Sequence, residues 1–170
     1  MRTLFLVRHA KSSWADAALR DHDRPLNDRG LRDAPFMADV FRDREASVDL
    51  IVSSTAVRAH RTALFFAAGL SHPPSSLRLE PAIYDASLNA LMKVVNHLPD
   101  QAERVALFGH EPGFTELADH LTGAGITHIP TCGMVRIDFH LDQWSLVTRH
   151  VGMLVWSDHP KAHRGQTDLP

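Results

Sequence analysis

Three short apolar runs, each ending at polar or charged side chains, constrain the fold of this 170-residue chain most strongly. Residues 4–7, 49–53 and 105–108 have the sequences LFLV, DLIVS and VALF, and longer amphipathic segments separate them. Continuous apolar runs of this length are typical of strands that are buried on both faces of a parallel sheet. The alternation with amphipathic segments predicts a three-layer α/β/α domain with a mostly parallel central sheet.

The amphipathic segments carry signals for the ends of four helices. Asn27 is a typical N-cap for a helix that runs toward Arg44, and Pro35 predicts that this helix is kinked or begins late. Ser54 or Thr55 is expected to cap the second helix. Further signals predict a helix end near Gly69, a helix from Leu88 to His97 and a helix that starts at Pro112.

The C-terminal part is expected to add an antiparallel hairpin to the sheet. Residues 134–140 and 144–154 have the apolar character of strands and flank a turn at Asp142-Gln143. From Trp156 onward the sequence becomes polar. We therefore expect a single domain over residues 1–155 and an irregular tail over residues 156–170.

Composition and charge argue against several classes of function. The formal net charge is −2, so no overall field favours nucleic acid or an anionic membrane as a partner. No stretch approaches the roughly 20 apolar residues that cross a bilayer, and the first apolar run is short for a signal peptide, so a cytoplasmic location is expected. Cys132 has no cysteine to pair with, and the 12 histidines show no HExxH spacing. We expect neither a bound metal nor another cofactor.

The residues that follow the three apolar runs suit the binding of an anion. Arg8 and His9 follow the first run, Arg58 lies in the first turn of the helix after the second, and His110 follows the third. Ligands of open α/β sheets bind at the carboxyl ends of the strands, so these side chains are expected to converge on a tetrahedral dianion. Guanidinium groups disfavour a charged imidazole, which predicts a neutral, nucleophilic His9 and a phosphohistidine intermediate.

Three motifs, in this order along the chain, resemble those of the histidine phosphatase (phosphoglycerate mutase-like) superfamily. They are RHA at residues 8–10, SxxxRAxxTA at residues 54–63 and GHE at residues 109–111. More narrowly, the segments RHAKSSW, DHDRPLNDRG and GHEPG resemble the phosphohistidine phosphatase branch typified by SixA. The resemblance implies a phosphoglycerate mutase-like fold, with His9 as the nucleophile and with Arg8, Arg58 and His110 lining the phosphate pocket.

The general acid is the part of the family pattern that this sequence matches least. Mutases carry a catalytic glutamate upstream of an aromatic residue, and Glu80 lies one residue off that spacing and precedes Pro81. Glu111 lies where a distant acid-phosphatase branch has its catalytic aspartate, so both glutamates are candidates. A weak acid suits a P–N substrate, because the leaving imidazole can be protonated and departs readily.

The loop after the first strand contains further candidates for substrate binding. Ser12 could donate to phosphate, and Arg24 could either reach substrate or pair with Asp21 or Asp23. Packing, rather than a stacking platform, is expected of the three tryptophans, Trp14, Trp144 and Trp156.

The motifs together predict a metal-independent phosphatase whose preferred substrate is phosphohistidine on a protein. Connections between the predicted elements are short, with no insertion long enough to form a lid, so the pocket is expected to admit a protein-borne group. Signatures of the cysteine phosphatases and of P-loop enzymes are absent, since Asp138 stands six residues after Cys132 and no GxxxxGK occurs. A small-molecule phosphomonoesterase and a non-catalytic module that binds phosphate or phosphohistidine are the alternatives.

Overall fold

Within residues 1–45 and 47–164, which the computed structural model describes, six strands form one sheet in the order β3-β2-β4-β1-β5-β6. The first four strands of that order pair in parallel. The strand β5 is antiparallel to both of its neighbours, β1 and β6. The elements are β1 (Arg2–Arg8), α1 (Asp28–Arg44), β2 (Leu50–Ser53), α2 (Val57–Gly69), β3 (Arg78–Leu79), α3 (Leu88–Asn96), β4 (Arg104–Gly109), α4 (Gly113–Thr122), β5 (Met134–Phe139) and β6 (Met153–Asp158).

Helices cover both faces of the sheet, which confirms the predicted three-layer α/β/α fold. Leu4 and Leu6 of β1 pack in one apolar cluster with α3 and α4, while Phe5 and Val7 pack in a second cluster with α1 and α2. Successive side chains of a strand point to opposite faces, so a strand that is covered on both sides must be apolar at every position. None of the helices in the described ranges has the length and apolar character of a membrane span.

The first helix begins where its cap predicts and not late. Asn27 Oδ1 accepts a hydrogen bond of 2.9 Å from the amide of Gly30, and α1 runs on from Asp28 with Pro35 inside it. Proline removes one hydrogen bond of the helix. The apolar face that α1 buries, which includes Met37 and Phe41, continues past that position and holds the helix on the sheet.

The predicted hydroxyl cap of α2 is wrong. Ala56 is the N-cap residue, and no side chain caps the helix. The hydroxyl of Ser54 lies 2.7 Å from Nε2 of His110, and that of Thr55 lies 2.9 Å from Nε2 of His22. Two residues with the sequence signature of a helix cap thus hold histidine side chains instead.

The C-terminal strands are antiparallel, as predicted, but the second begins at Met153 rather than at Trp144. Trp144 is fully buried, and its indole N–H donates to the carbonyl of Ala102 at 2.8 Å. These contacts hold residues 144–147 against α3 and keep them out of the sheet. The tail is also more regular than predicted, because β6 continues to Asp158 and a 3₁₀ helix spans Pro160–His163. Residues 165–170 of the predicted tail lie outside the described residues.

Candidate active site

His9 lies directly after β1, at the carboxyl edge of the sheet, and is only 8% exposed. Its Nδ1 lies 2.7 Å from the carbonyl oxygen of Ala10. A carbonyl can only accept, so Nδ1 carries the proton and Nε2 carries the lone pair. Burial lowers the pKa of His9 to about 3, with the charges of Arg58 and Arg8 adding to the effect and the bond to Ala10 opposing it. The ring is neutral near pH 7, chiefly because it is buried rather than because arginines flank it.

Arg58 reaches His9 from the first turn of α2. Its Nε donates to Nε2 of His9 at 3.3 Å. Its Nη1 donates to the backbone carbonyl of Asp21 at 2.6 Å, and its Nη2 donates to the carboxylate of the same residue at 3.0 Å. Within the described residues, one N–H on each terminal nitrogen has no partner and can bind an anion.

Arg8 is the last residue of β1 and lies on another side of the pocket. Its Nη1 donates to the carbonyl of Ile129 at 2.8 Å. Its Nε is buried and has no hydrogen-bond partner among the described residues. Burial lowers the pKa of Arg8, and the charge of Glu111 partly offsets this effect. A buried guanidinium group with a free donor favours an anion as its ligand.

His110 follows β4, and its ring centre lies 5.2 Å from that of His9. Oγ of Ser54 accepts from the amide of Ala56 at 3.2 Å, and the only other partner of this hydroxyl within the described residues is Nε2 of His110. We infer that the hydroxyl donates to Nε2, because its proton has no other acceptor among the described residues, and this leaves the proton of the neutral ring on Nδ1. Nδ1 is buried and has no partner in the described ranges. Burial and the charge of Arg58 lower the pKa of His110 to about 4.

The four side chains share one cavity of about 270 Å³ at the carboxyl edge of the sheet. The residues that line it are Arg8, His9, Lys11, Ser12, Trp14, Arg24, Arg58, His110, Glu111 and Thr131. A second cavity, of about 430 Å³, shares Arg58, His110 and Glu111 with the first. Donors from two arginines and one histidine around an imidazole nitrogen that carries a lone pair are the arrangement that an in-line phosphoryl transfer requires.

The two candidate acids occupy different environments. Glu111 lines both cavities, and its carboxylate accepts from the hydroxyl and, at 3.2 Å, from the amide of Thr115. Glu80 does not line either cavity; it pairs with Arg78 at 2.8 Å and accepts from the amide of Ala82 at 3.2 Å. Of the two, only Glu111 lies beside the site.

The loop between β1 and α1 contributes Lys11, Ser12, Trp14 and Arg24 to the cavity, in addition to His9. Ser12 and Arg24 are buried, and Nε of Arg24 donates to the carboxylate of Asp21 at 3.1 Å, which confirms the predicted pairing with Asp21. Arg24 also lines the cavity, and its contact with substrate stays a prediction. The packing expected of Trp14 is wrong. This residue is 73% exposed at the rim, and the guanidinium carbon of Arg24 lies 3.5 Å from its ring centre. A loop residue outside the apolar clusters has no core to pack into.

Residues that the sequence analysis did not single out also shape the site. Asp21 contacts Arg58, Arg24 and Tyr84, while Lys11 and Thr131 line the cavity. The sequence indicates Asp21 only as a partner of Arg24, and no local signal links it to Arg58. Within the described residues, no group of three or more His, Cys, Asp or Glu side chains is arranged to hold a metal ion.

Comparisons with known proteins identify a matching family model and relatives of this chain. Residues 4–83 match the family model of the histidine phosphatase superfamily (branch 1). The chain is 32% identical over 153 residues to an uncharacterised chloroplastic protein of Arabidopsis thaliana, which covers 84% of this chain and 69% of that protein. It is 34% identical over 112 residues to an uncharacterised protein of Mycobacterium tuberculosis, which covers 66% of this chain and 67% of that protein.

Solved structures show the same fold. A crystal structure assigned to a phosphohistidine phosphatase SixA of Agrobacterium tumefaciens superposes with a TM-score of 0.80 at 25% identity, over 94% of this chain and 98% of that one. The structure of a protein histidine phosphatase SixA complexed with tungstate superposes with a TM-score of 0.79 at 20% identity, over 94% and 98% of the two chains. At 20% identity, this second likeness concerns the fold alone.

Proposed function

The chain belongs to the histidine phosphatase superfamily and to its SixA-like branch, and we propose that this phosphatase hydrolyses phosphohistidine on a second protein through a phosphorylated His9. One observation carries the proposal. The neutral ring of His9 presents its Nε2 lone pair beside Nε of Arg58, while Nε of Arg8 and Nδ1 of His110 have no partner among the described residues. These are a nucleophile and three donors for a phosphoryl group.

In the first step, Nε2 of His9 attacks phosphorus. The Nε2–P bond forms while the P–N bond of the substrate breaks, and the electron pair of that bond stays on the leaving imidazole nitrogen. A proton on the other nitrogen of the substrate ring makes the leaving group a neutral imidazole. His9 retains its own proton on Nδ1, where the carbonyl of Ala10 accepts a hydrogen bond from the positive ring.

In the second step, water attacks phosphorus and the Nε2–P bond breaks. Its electron pair returns to Nε2, so His9 leaves as the neutral ring with which the cycle began, and the products are inorganic phosphate and a proton. The bond from Nδ1 to Ala10 supports both steps, because it holds the proton that makes His9 a good leaving group.

The donors around the phosphoryl group stabilise the charge that spreads over its oxygens in each transition state. Arg58 contributes the free N–H of each terminal nitrogen, Arg8 its unpartnered Nε, and His110 its Nδ1–H. The three residues line a largely buried pocket, where hydrogen bonds to an anion are stronger than in water.

The P–N substrate is favoured by the character of the acid and by the shape of the rim. Glu111 is bound to Thr115 by two hydrogen bonds. An imidazole leaving group needs little help from such an acid, whereas an alkoxide needs much. The rim is formed in part by the exposed Trp14, and the adjoining cavity of about 430 Å³ offers room for the ring of a protein-borne histidine.

The proposal is tested by phosphate release from a chemically phosphorylated histidine protein, from phosphorylated imidazole and from p-nitrophenyl phosphate, each with and without EDTA. We expect kcat/KM to be at least tenfold higher on the histidine protein than on the ester and to be unchanged by EDTA. His9→Asn should abolish release, while His140→Asn, at an exposed histidine, should leave it unchanged.

Each other outcome contradicts a defined part of the proposal. Faster release from the ester would indicate a small-molecule phosphomonoesterase. Binding of the histidine protein without any release would indicate a binding module, and loss of activity in EDTA would overturn the metal-free mechanism.

A further inference from the structure

Asp21 joins three side chains of the site without lying on phosphorus itself. It lies in a 3₁₀ turn, Asp21–Asp23, of the loop between β1 and α1. Its carboxylate accepts from Nη2 of Arg58 at 3.0 Å, from Nε of Arg24 at 3.1 Å and from the hydroxyl of Tyr84 at 2.9 Å. Its backbone carbonyl accepts from Nη1 of Arg58 at 2.6 Å.

These contacts fix the orientation of Arg58. Both terminal nitrogens of its guanidinium group are bound to Asp21, and the plane that results directs Nε at Nε2 of His9. A free arginine side chain samples many rotamers, and holding it in one costs conformational entropy. Two hydrogen bonds to one acidic residue supply that order before substrate binds.

Tyr84 donates to Oδ2 of Asp21, the same carboxylate oxygen that accepts from Arg58. Its ring packs edge-on against those of His22, at 4.9 Å between ring centres, and His110, at 5.6 Å. Partial burial opposes the charged form of Asp21, but the hydrogen bonds from Tyr84 and Arg58 outweigh it, so the pKa of Asp21 lies below its ordinary value. The carboxylate is therefore ionised wherever the enzyme is expected to work.

We propose that Asp21 is a positioning residue, which orients Arg58 toward His9 and the phosphoryl group, and that Tyr84 orients Asp21 in turn. The proposal rests on the proposed function, since it assigns to Arg58 the phosphoryl oxygens. If Asp21 acts in this way, every effect of Asp21 on turnover passes through the guanidinium group of Arg58.

A purely structural role for Asp21 is the competing explanation, because its bond to Arg24 also ties down the loop. A double-mutant cycle separates the two. We expect Asp21→Asn to lower kcat on phosphorylated imidazole about tenfold, with a smaller change in KM. In an Arg58→Ala background, Asp21→Asn should change the residual rate less than twofold. An equal loss of rate in both backgrounds would overturn the proposal.

Asp23→Asn is the matched control. Asp23 lies in the same 3₁₀ turn and pairs with Arg20 and His22, but it has no hydrogen bond to Arg58. We expect its kcat to stay within twofold of wild type. Tyr84→Phe should lower kcat less than Asp21→Asn does, and should add nothing to it in the double variant.

Binding of tungstate, measured by calorimetry, separates this proposal from the proposed function because it needs no turnover. We expect Asp21→Asn to weaken tungstate binding at least fivefold, and Asp23→Asn to leave it unchanged. A wild-type protein that binds tungstate but hydrolyses no P–N bond would refute the proposed function alone. Wild-type affinity in Asp21→Asn would refute the role of Asp21, whatever the protein hydrolyses.

Discussion

Nε of Arg58 lies 3.3 Å from Nε2 of His9 and donates to the lone pair that has to attack phosphorus. The N–H that orients the nucleophile is thus within reach of any phosphoryl group bound to Nε2. We infer that Arg58 acts before attack, by aligning the ring, and during it, by stabilising charge.

Replacement of Arg58 by lysine tests this double role. Lysine keeps the charge, but its single ammonium group cannot bind His9 and Asp21 in the same geometry. We expect Arg58→Lys to lower kcat/KM on phosphorylated imidazole at least 100-fold, a loss of about 2.7 kcal/mol. Arg61→Lys is the control on the same helix, because Arg61 is exposed, and its rate should stay within threefold of wild type. Equal rates in the two variants would show that charge alone is needed.

Removal of the Ser54 hydroxyl should affect turnover through His110. Without this donor the proton of the imidazole is no longer held on Nδ1. We expect Ser54→Ala to lower kcat about tenfold and to weaken phosphate binding. Ser53→Ala is the matched control, since Ser53 is equally buried and its hydroxyl donates to the Ser54 carbonyl. Both variants should lose about 1 kcal/mol of stability, so a similar loss of kcat in the two would contradict the assignment.

The identity of the acid can be read from substrates with different leaving groups. We expect Glu111→Gln to slow hydrolysis of an alkyl phosphate ester at least tenfold, or about 1.4 kcal/mol, and to leave phosphorylated imidazole within threefold. Glu80→Gln should leave both rates within threefold, since that side chain lies beside Arg78 and Ala82. Steady-state rates of both variants on the two substrates test this assignment. A larger loss of ester hydrolysis in Glu80→Gln than in Glu111→Gln would indicate that Glu80 is the general acid.

The two buried histidines predict how stability depends on pH. Their pKa values in the folded protein are about 3 for His9 and about 4 for His110, below the ordinary 6.5. Their contribution to stability is complete above about pH 6.5 and is lost as the pH falls toward these values, because only the unfolded chain takes up the protons. We expect each histidine to reduce the free energy of unfolding by about 2 kcal/mol between pH 7.5 and pH 5.

Urea unfolding of variants at the two pH values separates the contribution of one histidine to this loss of stability from the contributions of other titrating groups. His110→Asn should show a pH-dependent loss smaller than that of wild type by about 2 kcal/mol. His140→Asn, at an exposed histidine, should match the wild-type loss. An unchanged loss in His110→Asn would mean that His110 is not buried in its neutral form.

The parts of the site that sequence predicts well are those attached to buried strands. Arg8, His9 and His110 follow continuous apolar runs, and parallel strands end at the same edge of a sheet, so their convergence follows from pattern alone. The same pattern predicts that alternate residues of β1 face opposite layers of the fold. Phe5 and Val7 face one layer, and Leu4 and Leu6 face the other.

The parts that sequence does not predict depend on contacts between distant segments. Ser54 has the signature of a helix cap, but His110 follows β4, the neighbour of β2 in the sheet, and binds the Ser54 hydroxyl. Asp21 lies in a loop without periodicity, 37 residues from Arg58. Trp144 has the apolar character of a strand residue, yet the pocket beside Ala102 holds it out of the sheet. In each case contacts with residues distant in the sequence determine where the side chain lies.

The most direct measurement is to trap the phosphorylated enzyme. Rapid quenching after mixing with ³²P-labelled phosphorylated imidazole, followed by peptide mapping, locates the label and its chemical stability. We predict label on His9 that is lost in acid and retained in base, as a P–N bond requires, and no label in His9→Asn. Acid-stable label, or label in His9→Asn at the wild-type level, would contradict a histidine nucleophile at this position.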